Sequence, residues 1–363
     1  MKKLLETTPK QDGFRMPGEH EPQSEIWMAW PERTDNWRNG AKPAQKVFAE
    51  VAKQINKTTP VTMLVSAEQY DNAVSRLPDD IRVLEVSTDD SWMRDIGASY
   101  VVNDNGERRG VDWEFNAWGG FVDGLYWPWK RDDQVAQKMC EITADSRYRA
   151  PIILEGGSIH IDGEGTLYTT EECLLDESRN PDLSKEELSK ILREHLNVEK
   201  IVWLPRGLYN DETNGHVDNI LHIVKPGEVV LTWCDDPNDP QYEISREAYD
   251  CLTNQRDAKD RKIKVHKLPM PGPLYMAKEE AAGIDIADGM EREAGERLAA
   301  SYANYLITNN QIVLPLLDKR YDAEVIALLE ELYPGYEVNG VPAREILLGG
   351  GNIHCITQQV PQV

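Results

Sequence analysis

The sequence predicts an α/β protein in which five similar units surround a pseudo-axis. Amphipathic helical segments alternate with short β-branched runs along the chain. A unit of polar cluster, short strand, turn and second strand recurs five times. Two of these units share a literal pattern, Gly156-Gly157-Ser158-Ile159-His160 and Gly350-Gly351-Asn352-Ile353-His354. No Pro/Gly/Ser-rich stretch breaks the run, so residues 1–363 are read as one domain.

Taken in order, the first helix is expected over 44–56, where Val47, Phe48, Val51 and Ile55 recur at helical spacing, with strands over 61–65 and 81–86 behind it. The first hairpin spans 99–111 and turns at Asn103-Asp104-Asn105-Gly106; the second spans 158–170 and turns at Asp162-Gly163. A helix over 184–196 opens with Ser184 and Glu187 in capping-box spacing ahead of Leu188, Ile191 and Leu192, and a strand over 200–204 follows. The third hairpin, 219–232, turns at Lys225-Pro226-Gly227. The acidic stretch 235–260 reads as a surface loop followed by helix, and 263–268 as a strand. The fourth hairpin, 303–315, turns at Asn309-Asn310; a helix over 322–333 places Val325, Ile326, Leu328, Leu329 and Leu332 behind Asp322 as its cap. The fifth hairpin is expected over 352–361 with its turn at Gln358-Gln359, the one turn lacking recognisable hairpin chemistry.

Apolar residues make up 40% of the 363, ten of them Trp, which is enough for a substantial core. Forty basic against sixty-three acidic side chains leave a net charge of −23, which disfavours nucleic acid or an anionic membrane as the main partner and would draw a small cation. The start, residues 1–10, has three lysines but no apolar segment behind them, and no run approaches the roughly 20 apolar residues that span a bilayer. A cytoplasmic protein is expected. The five cysteines, Cys140, Cys173, Cys234, Cys251 and Cys355, are odd in number and far apart, so they read as free thiols without a disulfide framework or thiolate zinc site.

The polar clusters sit at the hairpin entrances, where five units would aim them at a common centre. They are Trp92-Met93-Arg94-Asp95, Glu155-Gly156-Gly157, Asn214-Gly215-His216-Val217-Asp218 and Gly349-Gly350-Gly351-Asn352-Ile353-His354-Cys355. Cys355 follows glycines whose amides, Gly350 among them, can face a ligand, and a nucleophilic thiol is the sharp reading. His216 is the obvious proton carrier, with Asp218 two residues on. Asp95, Asp218 and Glu155 surround a thiol with carboxylates, which suits a guanidinium and its planar fork of donors better than a neutral peptide. Viewed singly, Arg94 with Asp95 reads equally as a local ion pair and Glu155 as a turn carboxylate. His160, His216, Asp218, His222 and His354 offer metal-ligand types without any ligand spacing, so no metal is expected. Phosphate cradles are absent: Gly119-Gly120 lacks the third glycine of a dinucleotide fingerprint.

The strings Met16-Pro17-Gly18-Glu19, Trp27-Met28-Ala29-Trp30-Pro31, Asp35-Asn36-Trp37-Arg38, Trp92-Met93-Arg94-Asp95, Asn214-Gly215-His216-Val217-Asp218 and Gly349 through Cys355 together resemble the agmatine deiminases, over residues 12–361. These belong to the guanidino-group modifying superfamily, and the resemblance implies a five-bladed α/β propeller of ββαβ units. It implies a hydrolase acting on C–N bonds of linear amidines, with Cys355 attacking the guanidinium carbon and Asp95 and Asp218 holding its nitrogens. His216 would be general acid and base, and Glu155 would orient it. Loss of ammonia leaves an amidino-thioether on Cys355, and water then releases N-carbamoylputrescine, with no metal or organic cofactor. Substrate binding itself is expected to help ionise Cys355.

For the amine end of agmatine, Glu212, Asp211, Trp92 and Trp118 are the candidates, an acid or an aromatic face being what an ammonium needs. Trp27, Trp30 and Trp37 are expected to pack the fold. Relatives are commonly dimers or tetramers and serve polyamine metabolism, including putrescine biosynthesis, so a homo-oligomer is expected. The runner-up is a deiminase for free or peptide-terminal arginine using the same residues. A non-catalytic five-bladed binding module is the alternative from another class, and it would not need Cys355, His216 and Asp95 together.

Overall fold

Four of the five expected hairpins form where turn chemistry placed them. In the computed structural model, which describes residues 4–286 and 292–363, Ser99–Val102 pairs antiparallel with Arg108–Glu114 and His160–Ile161 with Thr166–Thr170. Leu221–Lys225 pairs likewise with Glu228–Trp233, and Leu306–Thr308 with Gln311–Leu316. Lys2 and Lys3 of the lysine-bearing start lie outside the described residues.

The fifth hairpin does not form. Residues 353–356 make a turn, and Gln358–Pro361 is a single strand with no reversal at Gln358-Gln359. Neither glutamine has the left-handed or proline-fixed backbone that a tight turn needs. The strand instead pairs antiparallel with Gln23–Ala29, Gln358 beside Trp27 and Val360 beside Glu25, so the chain's two ends share one sheet.

After the second strand of each antiparallel pair, a helix carries the chain back to a third strand parallel to that second one. The helices are Lys42–Ile55, Val135–Thr143, Lys185–Leu196, Gln241–Thr253 and Asp322–Leu332. They lead into Val61–Val65, Ser146–Ile153, Lys200–Leu204, Lys264–Pro269 and Glu337–Pro342. Arg82–Glu85 adds a further parallel strand beside Val61–Val65. The described residues thus form five separate sheets that repeat one ββαβ order.

The helix Lys185–Leu196 shows how local sequence fixes an element. The Glu187 N–H donates to Ser184 Oγ and the Ser184 N–H to Glu187 Oε2, closing the expected capping box, and Asn197 ends the helix in a left-handed conformation (φ 53°). Its apolar stripe, Leu188, Leu192 and Leu196, is buried against Ile161, Leu167 and Ile201. Each such leucine contributes about 1.5–3 kcal/mol, so Leu192→Ala would cost about 2–5 kcal/mol. Asp322 is corrected from cap to first helical residue: Tyr321 is the cap, and Asp322 Oδ1 accepts the N–H groups of Leu317 and Asp318 and the hydroxyl of Tyr302. The acidic stretch folds as expected, a loop leading into Gln241–Thr253. Trp27, Trp30 and Trp37 are buried beside Phe48 and Val51 as expected.

No helix among the described residues is long and apolar enough to cross a membrane. What the repeat achieves is placement: the short turns Met93–Ile96, Gly156–Ser158 and Val217–Ile220, the segment 352–357 and Asn304 each stand just ahead of an antiparallel strand.

Candidate active site

Asp95, on the turn Met93–Ile96, is held from two sides. The Gly157 N–H donates to Oδ1 at 2.9 Å and the Trp118 indole N–H to Oδ2 at 3.0 Å. Residue 157 has to be glycine, because a Cβ there would stand 2.6 Å from His216 Nδ1 and 2.9 Å from Asp95 Oδ1. His216 lies between two carboxylates, Nδ1 3.9 Å from Asp95 Oδ1 and Nε2 3.4 Å from Glu155 Oε2. Behind it, Arg179 Nε donates to Glu155 Oε1 at 3.2 Å and Nη2 to the Thr213 carbonyl at 2.8 Å, with both charged side chains wholly buried.

Cys355 comes from the segment ahead of the closing strand. Asn304 Oδ1 accepts the backbone N–H groups of His354 (3.1 Å) and Cys355 (3.3 Å), which leaves the Asn304 amide NH2 3.2 Å from Cys355 Sγ. Asp218 Oδ2 is 3.8 Å from the same sulfur. His354 is within 2.8 Å of Asp218 Oδ2 through Nδ1 and of Glu19 Oε2 through Nε2. Asp218 Oδ1 has no hydrogen-bond partner among the described residues. A buried carboxylate oxygen without a donor suits a ligand that brings its own.

The charges are those of a site waiting for a cation. Burial would raise the Glu155 carboxyl, but Arg179 and His216 bring it down to about 2. Asp95 goes the other way, pushed up to about 6 by burial and by Asp218 and Glu155 against the pull of His216. Burial would lower His216, yet Asp95 and the neighbouring Cys173 raise it well above an ordinary imidazole. Burial raises the Cys355 thiol well above its usual value, and Asp218 and Asp95 add to this, outweighing donors from Asn352 and Asn304. An incoming guanidinium would oppose the carboxylates and favour the thiolate.

Cys355, His216, Asp95 and Trp92 line one cavity with Trp118 and Leu125, and Glu212, Thr213, Asn219, Gly350 and Gly351 complete it. Glu155 sits behind His216 and Asp218 beneath Cys355. Asp211 does not line the cavity: its Oδ1 accepts from the Thr213 N–H and hydroxyl and its Oδ2 from Asn219 Nδ2, so the carboxylate is spent on holding the wall. Arg94 is not paired with Asp95; it donates to the His354 carbonyl and Gln359. Sequence reasoning missed Asn304, Arg179, Glu19 as the partner of His354, and Arg292, which pairs with Glu212. Asn304 alone had a readable signal, since it stands at the entrance of the fourth hairpin as Asp95 does at the first.

Two buried groups could offer metal-ligand atoms within 4.8 Å of one another, His160 with His222 and His354, and Glu155 with Cys173 and His216. In the first, both nitrogens of His354 are already hydrogen bonded; in the second, His216 Nε2 lies 3.4 Å from Glu155 Oε2. The arrangement is a thiol, a raised imidazole and two buried carboxylates around one narrow cavity, which can hold a planar cation and transfer a proton beside it.

The sequence matches the Porphyromonas-type peptidyl-arginine deiminase family over residues 15–361. A relative from Photobacterium profundum is 70% identical over 363 residues, all of both chains. An agmatine deiminase of Ectopseudomonas mendocina is 59% identical over 360 residues, 98% of each chain. The solved structure of the agmatine deiminase of Enterococcus faecalis superposes with a TM-score of 0.97 at 50% identity, covering 100% of both chains.

Proposed function

The chain belongs to the Porphyromonas-type peptidyl-arginine deiminase family and, within it, to the agmatine deiminases, hydrolases acting on C–N bonds, and from that premise we propose how its own residues carry out the reaction. The observation that carries the reading is the convergence of Cys355, His216 and Asp95 on one cavity that Glu212 also lines, with Asp218 Oδ2 3.8 Å from the Cys355 sulfur.

Asp95 and Asp218 hold the guanidinium nitrogens, fixing the planar cation beside Cys355 Sγ. Ionised by the cation above it, Cys355 attacks the central carbon and forms a C–S bond. His216 gives its proton to one nitrogen, the C–N bond breaks and ammonia leaves, so the thioether carries an amidino group. Glu155, anchored by Arg179, keeps the imidazole aimed. Water then adds to the same carbon, His216 takes one of its protons, and the C–S bond breaks as the carbonyl forms, returning the thiolate, releasing N-carbamoylputrescine and passing the second water proton to solvent. The Asn304 amide NH2 stands where it can stabilise the returning thiolate. Glu212 takes the terminal ammonium, with Trp92 and Trp118 forming the walls around the chain of methylenes.

An arginine substrate would bring an α-carboxylate to that end. Among the described residues no Arg or Lys lines the cavity, which favours agmatine over free or peptide-terminal arginine. The reading includes the five sheets arranged as the blades of one propeller, a cytoplasmic homo-oligomer, and a place in polyamine metabolism. It requires no metal or cofactor. The test is ammonia and ureido product release from agmatine, arginine and a short arginine peptide in parallel, with Cys355→Ala as control. Turnover of agmatine alone, lost in the variant, supports the whole reading; turnover of arginine moves the substrate to the alternative.

A further inference from the structure

Glu212 meets the cavity with an arginine at its back. Arg292 Nη2 lies 2.9 Å from Glu212 Oε1 and Nη1 3.3 Å from Oε2. The same guanidinium donates to Asn36 Oδ1 from Nη2 (2.9 Å) and Nε (3.1 Å) and to the Gly349 carbonyl (2.5 Å). Asn36 in turn donates to Asp90 Oδ2 at 2.9 Å, and the Asp90 carboxylate also accepts the indole N–H of Trp92 at 2.9 Å. One bonded frame therefore runs from Trp92, on the cavity wall, through Asp90, Asn36 and Arg292 to Glu212.

Arg292 stands outside the cavity. Its side chain is 4% exposed against 24% for Glu212, and Glu212 lines the cavity while Arg292 does not. Gly350 closes the other side of the carboxylate. A Cβ on residue 350, whose φ is 104°, would fall 1.6 Å from Glu212 Oε1 and 2.8 Å from Arg292 Nη2. This accounts for one glycine of the triple-glycine string by a carboxylate that needs its space.

We infer that Arg292 is a positioning residue that sets substrate specificity, fixing Glu212 as an aimed anion for a terminal ammonium while all three of its own nitrogens are engaged by Glu212, Asn36 and the Gly349 carbonyl. The inference rests on Glu212 being the group that meets the amine. A guanidinium fork on both oxygens of a carboxylate fixes its plane as well as its charge, which a single ammonium does not do. All three nitrogens of Arg292 already donate within this frame. The groups facing Glu212 divide cleanly: burial pushes its carboxyl up, Asp211 and Glu296 push the same way, and Arg292 opposes them. Without Arg292, Glu212 takes up its proton at a higher pH, the ammonium loses its partner, and an α-carboxylate is no longer repelled.

The experiment is steady-state kinetics of the full-length enzyme with agmatine and arginine from pH 6 to 9, for Arg292→Gln, Arg292→Lys, Glu212→Gln and the Gln/Gln double variant. Arg292→Gln is expected to raise KM for agmatine about tenfold or more at pH 7 while kcat falls less than about threefold. That KM should drop again toward pH 9, and the preference for agmatine over arginine should shrink about tenfold. Arg292→Lys, which keeps the charge without the fork, is expected at an intermediate KM and serves alone if the glutamine variant does not fold. In the Glu212→Gln background, removing Arg292 should change KM less than about twofold. If Glu212→Gln raises KM but both Arg292 variants keep the wild-type KM at every pH, the role of Arg292 is overturned and the amine site stands. A KM raised by one factor at all pH values, or raised equally in the Glu212→Gln background, marks a merely structural arginine and overturns it too. An unchanged KM in Glu212→Gln removes the amine site and the inference with it.

Discussion

His354 Nδ1 stands 2.8 Å from Asp218 Oδ2, and the other nitrogen of the same ring stands 2.8 Å from Glu19 Oε2. A buried imidazole bonded to a carboxylate at each end is held charged: burial and Arg94 push it down, but Glu19 and Asp218 raise it above an ordinary histidine. The same contact keeps Asp218 below the usual carboxylate range in spite of burial. Hydrogen bonds to charged groups contribute about 1.5–3 kcal/mol, so His354→Gln is expected to lower kcat/KM for agmatine by roughly 10- to 100-fold. Glu19→Gln, which touches no reacting group, should act in the same direction through His354. Steady-state kinetics on both variants decides; unchanged kcat/KM in each would remove the ring from the support of Asp218.

Asp95 gives the site its own acid limb. Its carboxyl is pushed up to about 6 by burial and by Asp218 and Glu155, with His216 opposing. The guanidinium keeps its charge throughout this range, so only the carboxylate changes, and the anion that binds is lost as pH falls through that value. In a Cys355→Ser variant, which cannot turn over, agmatine affinity measured by calorimetry should weaken about fivefold between pH 6 and pH 5. Affinity that stays constant over that interval would show that Asp95 is not the group holding the cation.

The site was legible where chemistry coincides with chain position. Asp95, Glu155, His216 and Asp218 each stand in a polar cluster just ahead of a hairpin, and Cys355 in one just ahead of the single strand Gln358–Pro361, so position in the repeat marked them all. Asn304 obeys the same rule but has no titratable group to draw attention, and its role appears only once its carbonyl is seen on two backbone N–H groups. Arg179 and Arg292 lie in loops between elements, and nothing local ties Arg292 to the Gly349 carbonyl 57 residues on. The fifth hairpin failed for the same reason. Its true partner is at the opposite end of the chain, where Ser24 Oγ meets the Val360 carbonyl across 336 residues, and periodicity carries no information about pairing at that separation.

The Glu155–Arg179 pair is buried completely, which makes its removal expensive and its pH signature specific. Replacing Arg179 by Gln leaves Glu155 as a buried charge without its guanidinium partner, at a cost of about 3–5 kcal/mol. The Glu155 carboxyl is depressed to about 2 in the folded protein, whereas an unfolded glutamate titrates near 4.3. Stability from this group is therefore present above about pH 4.3 and is lost as pH falls toward 2. Denaturant unfolding at pH 7 should show the loss in Arg179→Gln, and acid titration of the wild type should show a slope in that window that the variant lacks. Equal stability of the two proteins at pH 7 would contradict the pair's structural weight.

The free protein holds Cys355 in the wrong form for attack. Burial, then Asp218 and Asp95, keep the thiol protonated well above its usual range, and the donors from Asn352 and Asn304 do not offset them. A guanidinium placed between those two carboxylates cancels the repulsion that they exert on a thiolate. The enzyme is thus expected to ionise its nucleophile only when the substrate cation is present, which spares a reactive thiolate from alkylation at rest. Difference absorbance at 240 nm should report a thiolate when a non-reacting guanidino analogue binds at pH 7, and the signal should be missing in Cys355→Ala. Alkylation by iodoacetamide in the free enzyme should be slow at pH 7 and accelerate at alkaline pH. A full thiolate signal before ligand is added, with fast alkylation at neutral pH, would place the activating charge in the protein itself and make His216 its source.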